Sequence, residues 1–132
     1  MSRLTAVTSG KASRGTGGYT PALRAGEFVY VSGQGPLDPS TLEVRGSTVA
    51  EQTTHTLRNV LTLVEAAGGD AESIVRCGCY LASIEDFDEF TAAYEAFFTH
   101  RPRPTRTTIG CRLAGIRVEI DCVAYIPQRG DG

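Results

Sequence analysis

The chain is 132 residues long, 41% hydrophobic, 21% charged and 8% aromatic, the composition of one folded domain rather than a disordered segment. A formal net charge of −2 supplies no overall basic field to hold nucleic acid or an anionic membrane. The longest apolar stretch, within residues 57–67, is interrupted and far short of the ~20 residues a bilayer span needs.

Residues 1–10 lack the basic start and apolar run of a secretory signal, so a soluble cytoplasmic protein is expected. Residues 3–8 alternate weakly and predict a first strand, followed by a Gly/Ser-rich loop over 9–18. Residues 19–24 and 27–33 flank Ala25-Gly26 and predict a hairpin. Residues 35–46, with Pro36, Asp38-Pro39-Ser40 and Gly46, are turn chemistry throughout.

The first helix is well punctuated. Thr48 is a candidate N-cap, Glu51 completes a capping box, and Gly68-Gly69 ends the run. Val49, Thr53, Leu57, Val60, Leu61 and Val64 recur at helical spacing as one apolar face. A strand follows at 74–81. A second helix starts near Ser83, presents Phe87, Phe90, Tyr94 and Phe97, and is stopped by Pro102 and Pro104. Two strands, 105–112 and 116–126, are predicted to close the domain with a turn at Ala114-Gly115, and residues 127–132 are expected to be a flexible tail. The order predicts one α+β domain, two helices packed on one face of a mostly antiparallel or mixed sheet.

Scarce residue types limit the chemistry. The single lysine, Lys11, lies in the Gly/Ser-rich loop, a poor place for the desolvated amine of a Schiff base. Cys77, Cys79, Cys111 and Cys122 read as free thiols, and Cys77-x-Cys79 matches neither a redox pair nor a zinc half-site. No metal or cofactor is expected. His55 and His100 receive no role.

Alternation in the last strand puts Ile116, Val118, Ile120, Cys122, Ala124 and Ile126 on one face. Arg117, Glu119, Asp121, Val123 and Tyr125 take the other, with Arg106 on the neighbouring strand. Two helices cover only one face, so the apolar groups of the second call for a further copy of the chain. Charges on that face suggest a polar cavity between subunits, or else a rim of solvated groups.

Three separated segments carry a family resemblance. Tyr19-Thr20-Pro21-Ala22, then residues 28–34 with Pro36-Leu37-Asp38-Pro39, and Pro104-Thr105-Arg106-Thr107-Thr108 through Val118-Glu119-Ile120-Asp121 resemble the RidA (YjgF/YER057c/UK114) family in order and spacing. The resemblance implies a chorismate-mutase-like fold assembled as a homotrimer with clefts between subunits. It implies hydrolysis of reactive enamines and imines, such as 2-aminoacrylate and 2-iminopropionate, to a 2-keto acid and ammonia. Arg106 matches the carboxylate-binding arginine of the deaminase branch, and Glu119 the acidic residue that orients or activates water. Tyr19 and Ser32 match pocket side chains, and Gly33 and Thr108 match positions whose backbone contacts substrate.

A planar guanidinium suits the first role because it grips a carboxylate through two parallel hydrogen bonds. The same residues have plainer readings. Arg106 is also a surface arginine in a run with Arg101 and Arg103, and Glu119 an ion-pair partner for Arg117. Ser32 also reads as a strand-end residue and Tyr19 as interface packing.

The chain departs from the family pattern at Gly17-Gly18-Tyr19-Thr20, at Thr91 in place of a helix asparagine, at Thr108 in place of a cysteine, and in a shorter Arg106–Glu119 connection. These changes predict a cleft of different shape. Two alternatives stand beside the general deaminase: a pathway-specific hydrolase of another carboxylated imine or aminomuconate-like compound, and a non-catalytic small-ligand or RNA-binding protein using Arg101, Arg103, Arg106, Arg112 and Arg117. Low net charge and the lack of an RNP or KH motif weigh against RNA readout.

Overall fold

The computed structural model describes residues 3–13 and 17–128; residues 14–16 of the expected loop and 129–132 of the expected tail lie outside them. Strand β1 (Leu4–Ala6) pairs with β2 (Ala22–Ala25), which turns back into β3 (Phe28–Gln34). Gly26, at φ +62°, supplies the left-handed turn residue that the Ala25-Gly26 hairpin requires.

Helix α1 (Val49–Ala66) starts where its caps predict. The Thr48 hydroxyl accepts from the Glu51 N–H at 3.0 Å, and the Glu51 carboxylate accepts from the Thr48 N–H at 3.1 Å. Gly68, at φ +96°, ends it, with the Gly69 N–H donating to the Val64 carbonyl at 3.0 Å. Val49, Thr53, Leu57, Val60 and Val64 are buried as the spacing predicts. Leu63 is buried too, while Leu61 only packs against the edge of the core.

The chain continues through β4 (Ile74–Leu81), α2 (Phe87–Phe97), β5 (Thr105–Gly110) and β6 (Val118–Tyr125). A single 3₁₀ turn at Ile84–Asp86, capped by Ser83, leads into α2. The six strands form one sheet in the order β1-β2-β3-β6-β4-β5, antiparallel except between β4 and β5. This is the mixed α+β arrangement expected, with both helices on one face.

One reading needs correction. Gly115, at φ +76°, does turn the chain, but β5 and β6 are not neighbours, because β4 lies between them. A parallel β4–α2–β5 crossover sends β5 to the sheet edge, and the chain must recross β4 to reach β6.

Val118, Ile120, Cys122 and Ala124 face the helices together with Cys77, Cys79 and Leu81 of β4. The other face carries Glu119, Asp121, Val123 and Tyr125, as the alternation predicts. It leaves Phe28, Tyr30 and Tyr125 between 42% and 50% exposed. Among the described residues no helix is long and apolar enough to cross a membrane.

Candidate active site

Glu119 sits on the helix-free face of β6, directly across from Tyr80 of β4. Its carboxyl group lies over Gly33 so closely that a side chain there would collide with it. Gly33 belongs to an irregular stretch of β3 between Val31 and Gln34, where the register with β6 shifts. Glycine is needed here for close approach, not for its φ. Burial, and then the negative charge of Asp121, push the Glu119 carboxyl above the usual carboxylate range. Asp121 accepts from the Tyr80 hydroxyl at 2.8 Å and pairs with Arg76 at 3.5 Å. The alternative partner of Glu119, Arg117, forms no ion pair with it; the Arg117 N–H instead donates to the Gln52 side chain at 2.8 Å.

Ser32 and Tyr19 border the same region. The Ser32 hydroxyl donates to the Thr20 carbonyl at 2.7 Å, and its N–H donates to the Pro21 carbonyl at 2.8 Å. Ser32 therefore staples β3 to the segment carrying Tyr19, and its proton is committed to the backbone. Tyr19, 45% exposed, lines a recess of about 370 Å³ that holds Gly33 and Glu119, and a shallower one of about 520 Å³ that holds Ser32 and Asp121.

Arg106 lies elsewhere. It pairs with buried Cys77 in the β4–β5 ladder, so its side chain shares the helix-covered face. There its guanidinium carbon stands 5.3, 5.4 and 4.9 Å from the ring centres of Phe87, Phe90 and Tyr94. Its Nη2 donates to the Thr91 hydroxyl at 3.2 Å. Among the described residues no carboxylate lies within ion-pair distance of it. Ring faces and a hydroxyl lower the cost of the cation without neutralising it. Charge is left over for an anionic ligand.

Thr108, two residues further along β5, has a buried hydroxyl with no hydrogen-bond partner among the described residues. Burial favours the neutral form of the thiols behind this stretch, pushing Cys77 up to about 11 and raising Cys79 and Cys122 as well.

The structure thus gathers Tyr19, Ser32, Gly33 and Glu119, and separately Arg106 and Thr108. It does not bring the two sets together. Arg106 is not on the strand next to Glu119 but two strands away, and it points to the opposite face. Thr105, Thr107 and Ile109 are the β5 residues that share a face with Glu119. Arg101 and Arg103 donate to the backbone carbonyls of Thr99, His100 and Phe98. Among the described residues no cluster of His, Cys, Asp or Glu is placed to hold a metal ion.

The family model described as endoribonuclease L-PSP matches residues 9–126. The chain belongs to this RidA/YjgF family. A RutC family protein of Saccharolobus solfataricus is 38% identical over 99 residues, covering 75% of this chain and 78% of the relative. The crystal structure of the YjgF gene product of E. coli superposes with a TM-score of 0.84 at 31% identity, covering 92% of this chain and 98% of the other. E. coli TdcF with bound serine gives a TM-score of 0.84 at 26% identity, with the same coverage. The RidA-type, chorismate-mutase-like fold expected from the sequence is therefore the fold present.

Two features around Arg106 escaped the sequence. The spacing of Phe87, Phe90 and Tyr94 reads as a core stripe; Phe90 and Tyr94 are buried but Phe87 is 38% exposed, and all three wall in Arg106. Thr91 stands out in the sequence only as a departure from the family pattern, and in the structure its hydroxyl accepts from the guanidinium. A polar residue inside an aromatic stripe is the one local signal that could have revealed it.

Proposed function

We propose that this RidA-family protein hydrolyses reactive 2-imino acids and their enamine tautomers, such as 2-iminopropionate and 2-aminoacrylate, to 2-keto acid and ammonia. The observation that carries this reading is the Arg106 guanidinium, held by three rings and one hydroxyl with no carboxylate among the described residues within ion-pair distance of it. A bidentate grip on the substrate carboxylate completes its coordination. The serine bound to the related TdcF, itself a small carboxylated amine, supports a ligand of this class.

The chemistry needs little else. Water attacks the electrophilic carbon of the protonated imine while Glu119 accepts one of its protons, giving a carbinolamine. Glu119 returns that proton to nitrogen, and as the C–N bond breaks the carbinolamine hydroxyl gives its own proton to Glu119, so that ammonia leaves and a keto acid stands in place of the imine. A carboxylate lifted above its usual pKa range is the better base for the first step.

Arg106 and Glu119 lie on opposite faces of one sheet, so a single chain cannot place both on a three-carbon substrate. We infer that Arg106 and Thr108 of one protomer meet Tyr19, Gly33 and Glu119 of another in a homotrimer, whose contacts also cover the exposed aromatic groups of the helix-free face. Free thiols at Cys77, Cys79, Cys111 and Cys122 fit the cytoplasm.

The test generates 2-aminoacrylate enzymatically and follows release of 2-keto acid and ammonia. Acceleration over buffer is expected. A rate equal to buffer overturns the reading, and so does a monomer at micromolar concentration by light scattering.

A further inference from the structure

Resting on that imine-hydrolase reading, we propose that the recess beside Glu119 is the subsite for the substrate's side chain. It selects 2-imino acids with a branched or aromatic apolar side chain over the small alanine-derived imine. The recess holds about 370 Å³, within the range of about 300–1,000 Å³ that ligand sites occupy. Glu119 lies in its lining, and Leu37, Leu42, Val44, Ile116 and Tyr19 supply apolar surface around it.

The wall formed by Leu37, Leu42 and Val44 is braced by hydrogen bonds from within the turn and from α1. The Asp38 carboxylate accepts from the Ser40 N–H at 2.9 Å and the Thr41 N–H at 3.0 Å, and pairs with Arg45 at 2.6 Å. These bonds hold its carboxyl far below the usual carboxylate range. The Leu42 N–H donates to the Asp38 carbonyl at 2.8 Å, and Leu37 bridges to Val44. From α1, the Asn59 side-chain amide donates to the carbonyls of Gly35 and Leu37 at 2.9 and 2.8 Å.

This scaffold holds Leu42 at φ +64°, a left-handed conformation that a leucine side chain disfavours. A turn that only reversed the chain would carry glycine or asparagine there. Instead, strain is spent on keeping leucine 43% exposed, with Val44 beside it 46% exposed. Two exposed apolar groups fixed over the recess that contains the proposed base fit a substrate side chain reaching away from the carboxylate.

The experiment uses an amino-acid oxidase to make imines from alanine, leucine and phenylalanine in the presence of the full-length protein. Semicarbazide traps surviving imine, so hydrolysis is read as lost adduct. We expect kcat/KM for the leucine- and phenylalanine-derived imines to exceed that for the alanine-derived imine by ~10-fold or more, since one methylene in an apolar pocket is worth ~10–200-fold.

Leu42→Asn is the deciding variant, because asparagine tolerates the left-handed backbone and leaves the turn intact. It should lose most of the preference, falling more on the leucine-derived imine than on the alanine-derived one. Equal kcat/KM for all three imines, or a preference that survives in Leu42→Asn, overturns the subsite while leaving the imine-hydrolase reading standing. Failure to hydrolyse any of them overturns both. A variant that changes the oligomeric mass but not the preference assigns the wall to subunit contact and also refutes the proposal.

Discussion

Gly33→Ala separates the placement of a carboxylate from the stability of the fold. An alanine Cβ at this position would stand 2.9 Å from the Glu119 carboxyl carbon and 3.2 Å from its Cγ. Carbon atoms pack at ~3.5–4.0 Å, so the carboxyl group must retreat by at least about 0.6 Å. The obstructing atoms belong to a side chain rather than to backbone, so the sheet can remain in place. The stability cost should stay within the ~1–3 kcal/mol typical of overpacking.

Catalysis is less tolerant, since a 1 Å misplacement can cost ~100-fold. A loss of ~10- to 100-fold in kcat/KM for imine hydrolysis is therefore expected, equal to about 1.4–2.7 kcal/mol of barrier. The assay pairs steady-state kinetics with thermal unfolding of the same samples. In a Glu119→Gln background the alanine should cost almost nothing further. Wild-type kinetics in Gly33→Ala would refute the role given to Glu119. The same loss in both backgrounds would show that the damage does not pass through its carboxylate.

Arg106→Lys keeps the charge but loses the planar fork and its stacking on three rings, so KM should rise by ~10- to 100-fold, and an unchanged KM would remove the carboxylate grip. Asp121→Asn removes a negative charge that raises the Glu119 carboxyl, so the acid limb of the pH–rate profile should move to lower pH. A shift to higher pH, or none, would contradict that coupling. Thr108→Val deletes a buried hydroxyl that has no partner among the described residues, so stability should rise by up to ~1 kcal/mol and the melting temperature by ~2–5 °C. A lower melting temperature by calorimetry would show that the hydroxyl is in fact satisfied.

Local chemistry along the chain was enough to place most elements. Thr48 with Glu51, Gly68-Gly69, and Ala25-Gly26 mark their boundaries because caps and left-handed turns depend only on neighbouring residues. Alternation in β6 likewise sorted Val118, Ile120, Cys122 and Ala124 from Glu119 and Asp121 without knowledge of any partner. Resemblance across several motifs picked out Tyr19, Ser32, Gly33, Arg106, Thr108 and Glu119 as a set.

What lay beyond the sequence was every relation between distant segments. At 100° per residue Leu61 and Leu63 flank the α1 stripe symmetrically, and only the position of the sheet chose Leu63. Strand order did the same for the site. Hydrogen bonding of β5 to β4 in a parallel ladder turned Arg106 toward α2 and set it apart from Glu119. Spacing along the chain carries no information about which strand comes between two others. That choice is made by long-range pairing, and here it divides one candidate site into two halves.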